Sequence, residues 1–320
     1  MLRIWRRCAP TYEVVTAEAF AVADDIVWIE LVNPSREEEQ AVETGLGVGV
    51  PTREDMAEIE LSSRLYKANG ATYMTALVLT HHHAGPQNAK DEPVTFVLAG
   101  KRLVTVRYAE PKSFALFEAQ IHREPGLCQD GAGVFLGLIE AIVDRLADIL
   151  EELGASVKTT AGHIFRRTVQ RRFEAILIRL GGHQKLNVLI HESLLSVSRV
   201  ISYARLTPQM AENTAAQEQL RSQARDVQSL LEHSGYVSTT IAFQLDAALG
   251  LIGVEQAYTG RVFSIAALLF LPPTLIAGVY GMNFDVFPEL HWAFGYPFAL
   301  GLMLISVLIA LGWIKWKGWL

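Results

Sequence analysis

Cysteine is nearly absent from this 320-residue chain, which has only Cys8 and Cys128, far apart in the sequence. That scarcity argues against a disulfide framework or a cysteine-built zinc site. Basic surplus is absent too: 28 Lys and Arg stand against 34 Asp and Glu, for a net charge of −6. No basic surface therefore speaks for nucleic acid. There is no Ser-His-Asp order, phosphate-cradling glycine loop or paired-cysteine motif, so neither an enzyme nor an organic cofactor is indicated. Proline is missing from Gly126 to Thr207, and again between Pro208 and Pro272. The basic start Met1-Leu2-Arg3-Ile4-Trp5-Arg6-Arg7 is followed by no sustained apolar region. It does not read as a signal peptide, and the large N-terminal part is expected in the cytoplasm.

What is present is concentrated near the C-terminus. Half the residues are hydrophobic, and the mean hydropathy is mildly positive, which fits a mostly soluble protein with a short apolar tail. Residues 262–284 and 292–314 are uncharged runs separated by the seven residues 285–291. About 20 apolar residues suffice to cross a bilayer, so the two runs predict an antiparallel transmembrane hairpin. Arg261 precedes the first run, Lys315 and Lys317 follow the second, and the loop carries Asp285 and Glu289 with no Lys or Arg. The positive-inside rule then puts both termini in the cytoplasm and the acidic loop outside.

The rest divides by pattern. Residues 1–125 read as a cytoplasmic α/β domain. Val27–Val32 is a short apolar strand ended by Asn33-Pro34, and Ser35 with Glu38 predicts a capping box at a helix start. Segments 72–80, 94–99 and 102–108 suit strands, with a hairpin at Gly100-Lys101. Residues 126–207 read as a cytoplasmic helical bundle, with a helix at 131–157 and another over 163–204 that breaks at Gly181-Gly182. The cluster Arg166, Arg167, Arg171, Arg172 is either a solvated helix face or a contact for anionic lipid headgroups. Residues 208–261 form a stalk helix that leads into the first span, with Ser234–Thr240 a poor helix-forming run where it could bend. His81-His82-His83 offers at most two side chains to one face of a strand, too few for a closed metal site, so it reads as an exposed strand end. Residues 315–320 are a cytoplasmic tail.

Stepping back from Thr274 by three or four residues gives Leu271, Ala267, Phe263 or Ser264, and Gly260. This face is small or apolar and has no carboxylate. Such a face is ordinary for any span, and it is also what a pore that closes by excluding water would need. Tyr280-Gly281-Met282-Asn283-Phe284 then ends the first run, with Phe287-Pro288-Glu289-Leu290 in the loop. These words resemble the signature of the CorA family of divalent-cation channels, Y-G-M-N-F, two variable residues, then M-P-E-L. The resemblance extends to the branch with Leu271-Pro272-Pro273-Thr274 before the motif. Phe287 stands where the family usually has Met, and Ala257 and Gly260 stand where many members have Asn and Met.

The resemblance implies an α+β cytoplasmic domain, a long stalk helix and a two-helix transmembrane hairpin, assembled as a funnel-shaped homopentamer in the bacterial-type inner membrane. It implies pore positions at Phe263, Ala267, Leu271 and Thr274 and a selectivity filter of Gly281, Met282 and Asn283, with Asp285 and Glu289 drawing cations to the mouth. Mg2+ would be both the transported and the regulatory ion, with Co2+ or Ni2+ as further cargo. Regulatory ligands correspond to Glu58 in Met56-Ala57-Glu58-Ile59 and Asp226 in Arg225-Asp226-Val227. Two other functions remain open on the sequence: a zinc or cobalt carrier on the same scaffold, and a tethered sensor without flux.

Overall fold

The computed structural model describes residues 1–80, 88–165, 173–282 and 288–318. They fall into two units, Met1–Leu245 and Asp246–Leu320.

The first unit is built on one sheet of seven strands: β1 (Leu2–Arg6), β2 (Glu13–Val15), β3 (Ile26–Val32), β4 (Leu65–Ala68), β5 (Ala71–Thr80), β6 (Lys90–Ala99) and β7 (Arg102–Arg107). Their order is β2-β1-β3-β7-β6-β5-β4. Neighbours are antiparallel except β3 and β7, which run parallel with Ile29 opposite Val104. Every residue of β3 is buried, so the sheet is covered on both faces, and alternation sorts the strand between them. Ile29 and Leu31 join Leu2, Ile4, Val42 and Met56 in a core beneath α1 (Arg36–Leu46) and α2 (Arg53–Ala57). Trp28 points the other way, toward Phe114 and Phe117 of α4 (Lys112–Arg123). A one-turn helix, α3 (Leu61–Arg64), leads into β4.

Glu30 faces α4 as well and is wholly buried. Arg107 grips one of its oxygens through Nε at 3.0 Å and a terminal nitrogen at 2.7 Å, while Arg3 reaches the other at 3.3 Å. Arg107 also donates to the Ala109 carbonyl at 2.7 Å. Arg3 bonds Glu118 on α4 at 3.3 Å, so the network joins β1, β3, β7 and α4. Burial, with the charge of Glu30 adding to it, holds the Glu118 carboxyl above the usual carboxylate range.

The local chemistry is visible at the turns. Ser35 accepts from the Glu38 amide at 3.3 Å while Glu38 accepts from the Ser35 amide at 2.9 Å, a complete capping box. Gly100, at φ +58, closes the β6–β7 hairpin. Gly131 starts α5 (Gly131–Phe165) and donates to the Lys101 carbonyl at 2.8 Å. A Cβ there would run into the backbone of Arg102 and Leu103, so glycine lets α5 begin directly on the hairpin.

Helix α6 (Phe173–Ala204) runs without interruption through Gly181-Gly182, where a break was expected. Gly182 is buried between Leu180 and His183, and Leu186 and Ile190 continue the same contact. The packed stripe outweighs the low helix propensity of two glycines, roughly 1 kcal/mol each. Pro208 opens a one-turn helix, α7 (Pro208–Ala211). The long helix α8 (Thr214–Tyr280) follows, its first turn capped by Asn213, whose Oδ1 accepts from the Ala216 amide at 3.2 Å. Its 67 residues correspond to about 100 Å of helix.

The soluble half of α8 buries Ala216, Leu220, Gln223, Val227, Ser234, Val237, Ile241 and Gln244. Their spacing of three and four, or seven, is that of a helix seam. Three polar members bond across it: Gln223 Nε2 to Leu136 O and Gln244 Nε2 to Val157 O on α5, both at 3.1 Å, and Ser234 Oγ to Asn187 Oδ1 on α6 at 3.2 Å. Ser234-Gly235 is therefore continuous helix, its poor propensity offset by this contact. Gly235 lies in open space.

Two predictions concern stability. Arg107→Leu strands a buried carboxylate and is expected to cost about 3–5 kcal/mol. Replacing Glu30 by Leu in the same chain should recover much of that loss, as read by thermal unfolding of the full-length protein in detergent. His183 is buried with Nε2 at 2.9 Å from Ser156 Oγ. Burial, then the charge of Arg179, lowers its pKa below the ordinary 6.5. The folded state thus favours the neutral ring, and this contribution is complete above about pH 6.5 and lost as pH falls below it. His183→Gln should flatten that part of the stability–pH curve.

Candidate ion pathway

The second unit contains the apolar half of α8 and α9 (Gly295–Trp316), the two described helices long and apolar enough to cross a membrane. The most apolar stretch of α8 buries nothing within the chain. Phe263 and Leu271 are 72% and 70% exposed, and Ala267 and Thr274 are exposed beside them. Ala267, Leu271, Thr274, Gly278 and Met282 line one shallow apolar recess, so three of the four expected pore positions share a face with two residues that sequence periodicity did not extend to. Gly278 contributes a gap there by having no side chain.

Within this face Thr274 donates its hydroxyl hydrogen to the Phe270 carbonyl at 2.7 Å. Its oxygen lone pairs stay free to accept. Pro272 and Pro273 lie inside the helix. They have no N–H, so the carbonyls of Leu268 and Leu269 receive no i+4 amide. The helix continues through the pair to Tyr280. Gly281 then donates to the Ala277 carbonyl at 2.9 Å and Met282 to Val279 at 3.3 Å. A Cβ on Gly281 would stand 3.1 Å from the Ala277 oxygen, so close approach, without a left-handed φ, accounts for glycine here. Asn283 and Asp285 lie outside the described residues, as do Phe287, His81-His82-His83 and the Arg166, Arg167, Arg171, Arg172 cluster.

Pro288–His291 forms a 3-10 turn carrying the half-buried Glu289. The Trp292 amide donates to the Glu289 carbonyl at 3.4 Å, and Gly295 to Trp292 at 2.9 Å. Any Cβ on Gly295 would collide with the Glu289 oxygen, so glycine is what lets the turn fold onto the start of α9. Exposed Trp292 and Tyr296 cluster near that end of α9, and Trp313 and Trp316 near the other. Lys317 sits over Trp313 and Trp316 at 5.9 and 5.5 Å. Aromatic rings at both ends of an apolar helix, one set beside a lysine, are what the two interfaces of a bilayer select.

The two regulatory candidates are not brought together in one chain. Glu58 is exposed at the end of α2, where its carbonyl accepts from Arg64 at 2.6 Å, next to an 88% exposed Ile59. Asp226 is exposed on α8. It lies near Asp144 of α5, whose carboxyl is held above its ordinary range by burial and by Glu140, Asp148 and Asp226. Among the described residues no group of three or more His, Cys, Asp or Glu is placed to hold a metal ion.

An α/β domain, one helix shared between a soluble seam and an apolar stretch, and a second apolar helix are the architecture of a protein with two candidate membrane spans. Residues 23–316 match the family described as CorA-like Mg2+ transporter protein, and the chain belongs to that family. Two proteins named magnesium transport protein CorA are similar along nearly their whole length. That of Wolinella succinogenes is 32% identical over 299 residues, 92% of each chain, and that of Pasteurella multocida is 30% identical over 300 residues, 94% of each. The complete structure of the CorA magnesium transporter from Methanocaldococcus jannaschii shares the fold, with a TM-score of 0.78 at 16% identity over 100% of this chain and 99% of that one. The family is one of transporters and not of enzymes.

Gly295→Ala is expected to disturb the turn under Glu289 at a cost of about 1–3 kcal/mol, the usual penalty of overpacking. A lowered melting temperature of the detergent-solubilised protein would register it. An unchanged one would mean that the turn and helix separate freely.

Proposed function

We propose that this chain is one subunit of a homopentameric CorA-type channel that admits hydrated Mg2+, with Co2+ or Ni2+ as further cargo, through the inner membrane. The observation that carries this reading is the partnerless apolar face of α8, running from Phe263 to Met282 and leading directly into Asn283. Five copies of that face, one from each subunit, make a narrow tube. Its apolar middle closes when water leaves it, and Gly281, Met282 and Asn283 form the filter at its outer end.

Magnesium dehydrates reluctantly and keeps several waters when bound. A ring of Asn carbonyl oxygens suits that property, since neutral acceptors hold the hydration shell without stripping it. Asp285 and Glu289 concentrate cations at the mouth. The basic residues Arg261, Lys315 and Lys317 keep both termini in the cytoplasm. Entry needs no nucleotide: at about 2.3 kcal/mol per charge per 100 mV, a divalent cation gains roughly 4.6 kcal/mol. Glu58 and Asp226, each exposed on a single chain, are open to a neighbouring subunit. An intracellular Mg2+ held between subunits at these positions keeps the pore shut, and its loss at low internal magnesium opens it.

Magnesium uptake into proteoliposomes, followed by an entrapped magnesium dye, tests both parts. Wild type should show uptake that a negative-inside potential accelerates and Co2+ competes with more strongly than Zn2+. Asn283→Ala should abolish it while the protein stays folded and oligomeric. Glu58→Ala with Asp226→Ala should keep the flux but lose its inhibition by entrapped Mg2+. Folded oligomers that pass no divalent ion at low internal magnesium would sink the channel reading.

A further inference from the structure

The two cysteines, distant in sequence, meet in the fold. Cys8 follows β1 in a turn and is exposed; Cys128 follows the 3-10 turn Pro125–Leu127 and is buried. The Cys8 amide donates to the Cys128 carbonyl at 2.8 Å. With about 1.5 Å from N to Cα and about 2.4 Å from O to Cα, the two Cα atoms lie no more than about 6.7 Å apart. Disulfides bridge Cα separations of about 4.4–6.8 Å. Cys8 also holds φ at +52, a left-handed conformation that residues with a Cβ rarely adopt and that Gly or Asn would fill more readily. A cysteine kept in that conformation beside the chain's other cysteine is not explained by local backbone preference.

We propose that Cys8 and Cys128 are a thiol-oxidation site that closes into a reversible disulfide when a low-molecular-weight disulfide is present. Cys8 is the entry point, because it is exposed. Burial, with nearby Cys8 adding to it, pushes the Cys128 thiol up to about 12, so Cys128 does not react first. The Cys8 thiolate attacks the small disulfide, whose S–S bond breaks and releases one small thiolate. Cys128 loses its proton and attacks the Cys8 sulfur, and the second small thiolate leaves. Two protein thiols have then lost two electrons and two protons, and one small disulfide has become two thiols. In a reducing cytoplasm the pair rests open, as cytosolic redox-sensing cysteines do.

The link would fasten three elements at one place. Cys8 ends β1, while Cys128 leads into Gly131, which is bonded to the β6–β7 hairpin. The first turns of α5 in turn hold α8, through Leu136 with Gln223 at 3.1 Å and Glu140 with Gln219 at 2.9 Å. Closure thus ties the end of β1 to the end of α5 that grips the long helix.

The test uses 5,5′-dithiobis(2-nitrobenzoate), a small aromatic disulfide, on the native full-length protein in detergent. It reads thiols and not flux, so its outcome is independent of the transport reading. Wild type should release two aromatic thiolates per chain in sequence, end without a bound aromatic group, and yield a Cys8–Cys128 cross-linked peptide by mass spectrometry. Cys128→Ser should release one and keep the adduct, and Cys8→Ser should release none over the same time. The proposal is overturned if wild type stops at one and keeps its adduct. It is equally overturned if the second release tracks a link between two chains on a non-reducing gel, or if Cys8→Ser reacts at the wild-type rate.

Discussion

One helix has to satisfy two solvents. The first half of α8 lies along α5 and α6 in water and needs a partner for a single narrow stripe. The second half carries no charge from Val262 to Tyr280 and buries nothing against its own chain. A hydrogen-bond ladder interrupted only where Pro272 and Pro273 lack an amide lets the same element meet both conditions, because a helix satisfies most of its backbone groups internally in either medium. Side-chain pattern alone then changes along it, from a seam with a spacing of three and four to an apolar surface that is exposed on one face and half-buried on another. The sheet, the covering helices and the ion network at Glu30 belong to the soluble unit whose α5 and α6 supply the seam. The turn at Glu289 and Gly295 returns the chain for a second crossing.

Much of this was legible where local chemistry decides structure. The capping box at Ser35 and Glu38, the strand ended by Asn33-Pro34 and the hairpin at Gly100-Lys101 each depend on residues within a few positions of one another, and each is found. The expected break at Gly181-Gly182 and the doubtful run at Ser234-Gly235 were misleading for one reason. Propensity reads residues singly, while both sites lie on stripes that touch a partner helix far away in sequence. Strand β1 was obscured by its basic residues. Arg3 and Arg6 look like a solvated terminus until Glu30, Glu118, Glu13 and Asp25 are seen opposite them.

Of the ion pathway, the face was readable and its surroundings less so. Counting by threes and fours from Thr274 put Leu271 and Ala267 on its face because a helix preserves that period, and the three do line one recess. It ran backward from Thr274 and so did not reach Gly278. The tryptophans flanking α9 were legible in principle, since amphipathic aromatics next to Lys317 are a composition signal. The proximity of Cys8 and Cys128 was not, because it arises from the meeting of β1 with the turn before α5, a tertiary event that no spacing rule encodes.

The polar members of the α8 seam have a consequence for how that helix can move. Hydrophobic contacts tolerate small slips, since one methyl group replaces another with little loss. Gln223, Ser234 and Gln244 do not: each glutamine reaches one carbonyl on α5, Ser234 is held by Asn187 and His191 of α6, and the three sit at intervals along the same helix. An axial slide therefore stretches all three together. Displacement of α8 against α5 and α6 thus carries a polar cost at three levels of the seam, which apolar contacts alone would not impose.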